Sequence, residues 1–307
     1  MDDYSLITTS SPHIHSGESI SRIMFSVAIA LLLPTFAGIY FFGFRALGLV
    51  IITSVAAMLT EAIFQKLRNK PVTISDGSAL VTGMLLALNL PPGLPYWMAV
   101  VGAVVAIGLG KQIYGGLGAN PFNPALIGRV FLMITFTAPM TTWMNPVDGT
   151  TGATPLALMK MEGISTDYMK LFFGNVGGSL GETSASLIIL GGLYLIYKGY
   201  VDWRIPASYL GSVAILSVLL GQDPVFHLLS GGLMLGAFFM ATDMVTTPLS
   251  RLGKIIFGIG AGFFTVLIRF YGGYPEGVSF SILLMNAFTP LINRFTVPKI
   301  YGEVKSR

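Results

Sequence analysis

Apolar runs close to helix length recur from residue 20 to residue 295, separated by short polar breaks. No other feature narrows the fold as far. Strands of a transmembrane barrel would show short alternating segments, so these runs read as helices. Of 307 residues, 53% are hydrophobic and 10% charged, a ratio that a water-exposed surface of this size does not tolerate. The expected fold class is an all-α integral membrane protein with ten transmembrane helices. They are expected roughly at 20–42, 46–65, 75–90, 97–113 and 124–139, then at 184–200, 205–221, 226–244, 255–271 and 278–295. The third ends at Asn89-Leu90-Pro91-Pro92-Gly93 and the fifth starts from Asn120-Pro121-Phe122-Asn123-Pro124. Helices broken in this way persist in lipid only where protein or a cavity satisfies the freed backbone groups.

Lys and Arg set the orientation. A cytosolic N-terminus puts Lys66, Arg68, Lys70, Lys111, Lys198, Arg204, Arg251, Lys254, Lys299, Lys305 and Arg307 inside, leaving Arg45, Lys160, Lys170 and Arg269 outside. The net charge of +4 is thus explained by orientation signals, and nucleic acid is not an expected partner. Residues 1–19 carry Asp2, Asp3 and Glu18 ahead of the first apolar run, unlike a cleaved signal peptide. The expected organisation is a cytosolic segment at 1–19, a five-helix unit at 20–139, an extracytoplasmic loop at 140–183, a second five-helix unit at 184–295 and a cytosolic tail at 296–307. Tyr114-Gly115-Gly116 precedes Asn120-Pro121-Phe122-Asn123-Pro124, and Tyr271-Gly272-Gly273 precedes Asn286-Ala287-Phe288-Thr289-Pro290, with Arg129 and Arg294 following. Two related units with an odd number of spans each are an inverted repeat.

Midway lies a small-residue, hydroxyl-bearing stretch, Asp148-Gly149-Thr150-Thr151-Gly152-Ala153-Thr154-Pro155. Asn145 to Gly149 reads as a turn, and Thr154-Pro155 as an N-cap with Pro at the first helical position. A helix N-terminus also suits a phosphate, because unpaired amides and the helix dipole both favour an anion there. Cap and phosphate site can be one feature, and Thr150 and Thr151 are equal rivals as acceptors on composition alone.

The stretch ending Thr151-Gly152-Ala153-Thr154 resembles the flavinylation sequence of the RnfD and NqrB family of membrane subunits. Asn123-Pro124-Ala125-Leu126 with Gly128-Arg129, and Ala241-Thr242-Asp243-Met244-Val245-Thr246, resemble the fifth- and eighth-span motifs of that family, so the likeness covers essentially the whole chain. The length and brief N-terminal extension look closer to RnfD than to NqrB. The resemblance implies FMN joined through its phosphate to Thr154, with Asp148, Gly152 and Ala153 beside it, and a non-covalent riboflavin near Asn123 and Gly83. It also implies a subunit of an ion-translocating ferredoxin:NAD oxidoreductase complex in the cytoplasmic membrane, working with iron–sulfur and flavin subunits and matured by a flavin transferase. Gly and Ala before Thr154 leave the approach of a bulky donor unobstructed.

Without cysteine the chain supplies no thiolate to an iron–sulfur cluster, and no Gly-x-Gly-x-x-Gly opens a helix after a strand, so iron–sulfur and NAD chemistry belong to partners. Asn120 and Asn123 either bind a ligand such as the second flavin or cap the broken helix. Asp243 and Glu61 are the acids closest to hydrocarbon: either they handle a cation or proton, or, the favoured reading, they sit at the interface paired with Arg251 or Lys66. His13, His15 and His227 lack metal-site spacing. Trp97, Trp143 and Trp203 fit an interfacial aromatic belt. Two rival readings stand beside the main one: an NqrB-like subunit of a quinone-reducing complex, and a flavin-free inverted-repeat channel or transporter.

Overall fold

The computed structural model describes residues 17–146, 150–273 and 277–298. It is predominantly helical, and three of its helices are long and apolar enough to cross a membrane: α1 (Ile20–Phe42), α2 (Phe44–Leu67) and α13 (Arg251–Tyr271). Shorter apolar helices occupy five more of the expected stretches: α3 (Ser78–Leu88), α4 (Tyr96–Ile107), α5 (Pro124–Thr135), α9 (Ala185–Tyr197) and α10 (Arg204–Leu219). α4 runs on into a π segment at Gly108–Gln112, and α6 (Thr137–Met140) follows α5. The stretch expected at 226–244 is broken into α11 (Pro224–Leu229), α12 (Leu233–Leu235) and a π segment at Gly236–Met240. The break falls at Ser230-Gly231-Gly232, where Gly231 takes φ +62°, a left-handed conformation that glycine adopts without strain. α14 (Val278–Thr296) closes the described chain with buried Ser279, Ser281, Asn286 and Thr289 on its inward face.

Both faces of the long helices are apolar. Leu31 and Ala30 of α1 and Leu49 and Ala57 of α2 are buried, while Phe25, Ile29, Leu32 and Phe36 of α1 and Ile51, Val55, Leu59 and Ile63 of α2 point outward. An apolar outer face running the length of a helix is stable in hydrocarbon and costly in water. Trp97 and Trp203 are exposed as a belt requires, whereas Trp143 is buried, 7% exposed, where it pairs with Gly152, a correction to the expected belt.

α1 packs on α2, α3 and α9; α2 on α3 and α4; α4 on α5; α10 on α13; α13 on α14; and α5 on α14. Small residues permit the close crossings. A Cβ at Gly83 would lie 2.5 Å from Ser54 Cα, so α3 and α2 meet backbone to backbone there. The paired motifs fare unevenly. Tyr114-Gly115-Gly116 and Tyr271-Gly272-Gly273 both follow the end of a helical run, after the first π segment and at the end of α13. By contrast Asn120–Pro124 stands at the entrance to α5 while Asn286–Pro290 lies inside α14, and Arg129 is buried while Arg294 is exposed.

The stretch at 140–183 carries a small hairpin and two helices. β1 (Trp143–Met144) pairs antiparallel with β2 (Thr151–Gly152), and the Asn145 amide donates to the Thr150 carbonyl at 2.9 Å across the turn. α7 (Pro155–Glu162) and α8 (Tyr168–Phe173) follow, and Leu156, Leu171 and Phe226 of α11 form a small apolar cluster beneath them.

Candidate functional site

Thr154 is the N-cap of α7. Its backbone is extended (φ −67°, ψ 157°), Pro155 takes the first helical position, and the Ala157 amide donates to Thr154 Oγ1 at 3.3 Å. Gly152 and Ala153 before it are exposed, and a Cβ at Gly152 would meet nothing within 4 Å. The approach is therefore open, but Thr154 itself is only 3% exposed, unlike the exposed Thr150 and Thr151. A phosphoryl group on Oγ1 would lie at the helix N-terminus, where the first-turn amides suit an anion. The hydroxyl must turn out of its bond with Ala157 to reach a donor. Asp148, the expected neighbour of this site, lies outside the described residues, as do His13 and His15.

The second region is a chain of buried polar contacts between the first and second groups of helices. Starting beside α9, Glu182 pairs with Arg129 of α5 at 3.9 Å, and Arg129 donates to Asn89 Oδ1 at 2.6 Å. Asn89 Nδ2 reaches Met240 Sδ at 3.7 Å, and Asn123 Nδ2 donates to the Met240 carbonyl at 3.1 Å. Asn286 Oδ1 accepts from the Asn123 amide at 3.2 Å and its Nδ2 donates to the Thr246 carbonyl at 3.4 Å. Thr246 Oγ1 donates to Asp243 at 3.2 Å. Asp243 and Lys111 then line one narrow cavity of about 80 Å³, with Asn120, Asn123 and Thr242. That volume holds a few waters or an ion, well below the usual size of an organic ligand pocket. A wider cavity of about 470 Å³ adjoins it and shares Ile23, Met24, Leu117, Met244 and Val245.

Several expected roles change at this seam. Glu61 is 1% exposed and pairs with Lys111 at 2.8 Å, while Gln112 Nε2 donates to it at 2.8 Å; neither Lys66 nor Arg251 is its partner. Lys111, counted as a cytosolic loop charge, is buried in the π segment and also donates to Ser78 Oγ at 2.6 Å. Asp243 accepts from Thr246 and from the Val245 amide, with no bond to Arg251 or Lys66. Asn123 Oδ1 accepts from the Ala125 and Leu126 amides and Nδ2 is spent on Met240, so the side chain caps α5 and ties the two groups. Asn120 Oδ1 is buried without a partner and its residue lines the narrow cavity, making Asn120 the better ligand contact. Gly83 is turned toward α2; Ser78, Val81, Thr82 and Leu85 are the α3 residues on the cavity. Arg269, counted as an outer loop charge, is 4% exposed and donates to the His227 and Ser230 carbonyls.

Sequence reading missed Glu182, Asn89 and Lys111. The signal was present as polar residues at the ends of apolar runs, but their partners lie 40 to 53 positions away: 40 for Arg129 and Asn89, 50 for Lys111 and Glu61, 53 for Glu182 and Arg129.

Comparison with known proteins matches residues 7–302 to the model of the NQR2, RnfD, RnfE family. The chain is 50% identical over 315 residues to the D subunit of the proton-translocating ferredoxin:NAD(+) oxidoreductase complex of Clostridium ljungdahlii, covering 96% of this chain and 95% of that one. It is 51% identical over 311 residues to the D subunit of the Na(+)-translocating ferredoxin:NAD(+) oxidoreductase complex of Acetobacterium woodii, covering 99% and 98%. It is 38% identical over 345 residues to the D subunit of the ion-translocating oxidoreductase complex of Escherichia coli, covering 96% and 98%.

Proposed function

The chain belongs to the NQR2, RnfD, RnfE family, and on that premise we propose that it is the flavin-bearing, RnfD-type subunit of an ion-translocating ferredoxin:NAD(+) oxidoreductase complex. As such it is one part of an oxidoreductase and translocase, working with iron–sulfur and flavin subunits in the cytoplasmic membrane and not catalytic alone. The observation that carries the flavin assignment is Thr154 at the N-terminus of α7, with an open approach over Gly152 and Ala153. When bound, FMN supplies a carrier that exchanges electrons with neighbouring centres. The chain's part is to hold the phosphodiester at Thr154, with the α7 amides facing it, while α7 is anchored by Leu156 in the cluster with Leu171 and Phe226. Attachment by a flavin transferase requires the Thr154 side chain to leave its cap rotamer.

We place the ion path along the buried polar chain from Glu182 to Asp243, with Lys111 and Glu61 at its far end. Ionisable groups at membrane depth are costly to keep and mark ion or proton handling by default. Two relatives at 50% and 51% identity are named for different ions, so the choice of ion rides on local residues rather than on the fold. For the second, non-covalent riboflavin, the open acceptor Asn120 Oδ1 and the wider adjoining cavity support a site beside Asn123, and the packing of Gly83 against α2 argues against contact there. The packing is consistent with ten spans in two inverted units: α2–α4 and α4–α5 contacts are mirrored by α10–α13 and α13–α14, while α1–α9 and α5–α14 pair equivalent members. On this reading the Thr154 loop lies on the extracytoplasmic side and both termini in the cytosol, as the Lys and Arg distribution supports.

The test is a denaturing gel of the full chain made with a flavin transferase, viewed under ultraviolet light without stain. A fluorescent band should run at 32.8 kDa and vanish in Thr154→Ala. A band that persists in that variant moves the acceptor to another residue, and a dark wild type removes the flavin.

A further inference from the structure

A cavity of about 330 Å³ opens beside α7, lined by Leu156, Met159 and Lys160 of that helix, Gln222, His227 of α11, and Arg269 and Phe270 of α13. Its most unusual member is His227. The ring is 4% exposed, and neither Nδ1 nor Nε2 has a hydrogen-bond partner. A buried imidazole left this way is costly, because both nitrogens have given up water without gaining a partner. Around it stand two cations, the Arg269 guanidinium held by the His227 and Ser230 carbonyls, and Lys160, whose ammonium donates to the Arg269 and Gly272 carbonyls at the end of α13. The acid nearest His227, Asp223, lies outside the lining and is engaged by the Tyr168 hydroxyl and the Val225 amide. Leu156, Met159, Phe270 and the His227 ring, which tilts against Phe270 at 5.1 Å, supply flat apolar walls. The cavity thus favours a planar ligand with an anionic, hydrogen-bonding edge.

We propose that this cavity is the dock for the isoalloxazine ring of the flavin tethered at Thr154, with His227 as its hydrogen-bonding partner and Lys160 and Arg269 as the positive field. The assignment rests on flavinylation of Thr154. Tether and cavity share one short helix: Lys160 lies six positions after Thr154, about 9 Å along the axis at 1.5 Å per residue. The cavity volume falls in the range of small-molecule pockets. Reduced flavin carries its negative charge at the N1–C2 carbonyl edge, so a cationic dock with a free imidazole binds the reduced form more tightly than the oxidised one.

The experiment is a reductive titration of the flavinylated full-length chain in detergent, followed by flavin absorbance, for wild type, His227→Phe and Lys160→Gln. His227→Phe keeps a ring in the aromatic niche and, in the flavin-free chain, removes only nitrogens that no protein group bonds, so the flavin-free variant melts at or above flavin-free wild type. Once flavinylated, its midpoint potential should nevertheless fall, by about 30 mV for each tenfold loss in preference for the two-electron-reduced form. Lys160→Gln, a change at an exposed side chain, should shift it the same way. A flavin that remains attached with an unchanged midpoint in both variants overturns the dock and leaves flavinylation standing. A wild type with no covalent flavin overturns both.

Discussion

At Lys111 one buried ammonium donates to both Glu61 and Ser78. A buried pair of this kind adds little net stability over an apolar replacement, but removing one partner strands the other. Lys111→Met should therefore lower stability by about 3–5 kcal/mol, read as loss of unfolding midpoint in detergent. Glu61→Gln in the same chain should restore most of it. Sequence alone pointed Glu61 toward Lys66 because that cation is near along α2. Lys66 is exposed, however, and the carboxylate faces the π segment. Chain neighbours were legible at this scale; partners supplied by another helix were not. Thr154 was legible as a cap because capping is local chemistry, and its burial was not, because burial depends on how the rest of the chain packs around α7.

Helices reveal a different limit. Continuous apolar runs marked α1, α2 and α13 directly, since length and hydropathy suffice. The eighth stretch reads as continuous because the residues on either side of Ser230-Gly231-Gly232 are apolar, although two adjacent glycines are a breaker signal. The turn between α9 and α10 illustrates how short links carry electrostatic weight. Asp202 accepts from the Arg204 amide and guanidinium and from Lys254 of α13 at 3.0 Å. Burial opposes its ionisation, but those bonds outweigh it and hold the carboxyl below its ordinary value of 3.8. Its contribution is therefore fully present above pH 3.8 and is lost as the pH falls through the lower folded value. Wild type should melt above Asp202→Asn at pH 7, and the gap should close on acidification below that value, as followed by intrinsic tryptophan fluorescence.

Over the whole molecule, the two groups of helices meet along a seam where Asn123, Asn286, Met240 and Thr246 exchange hydrogen bonds. Asn286→Ala would leave the Asn123 amide without its acceptor and should cost about 1–3 kcal/mol. It should also broaden the thermal transition, because the tie couples the unfolding of both groups. Asn123 was visible in sequence as a cap or ligand candidate, but its link to Asn286 showed only as a weak repeat. Their meeting reflects the packing of α5 on α14, which no local pattern encodes.

That seam has a consequence for how the molecule works. Transporters that rock one bundle against the other need an interface that can slide, and here sliding would tear an unbroken line of buried polar contacts from Glu182 to Asp243. The protein is built instead like a dowelled joint: its two groups of helices are locked in register, and movement at the seam is left to side chains turning in place.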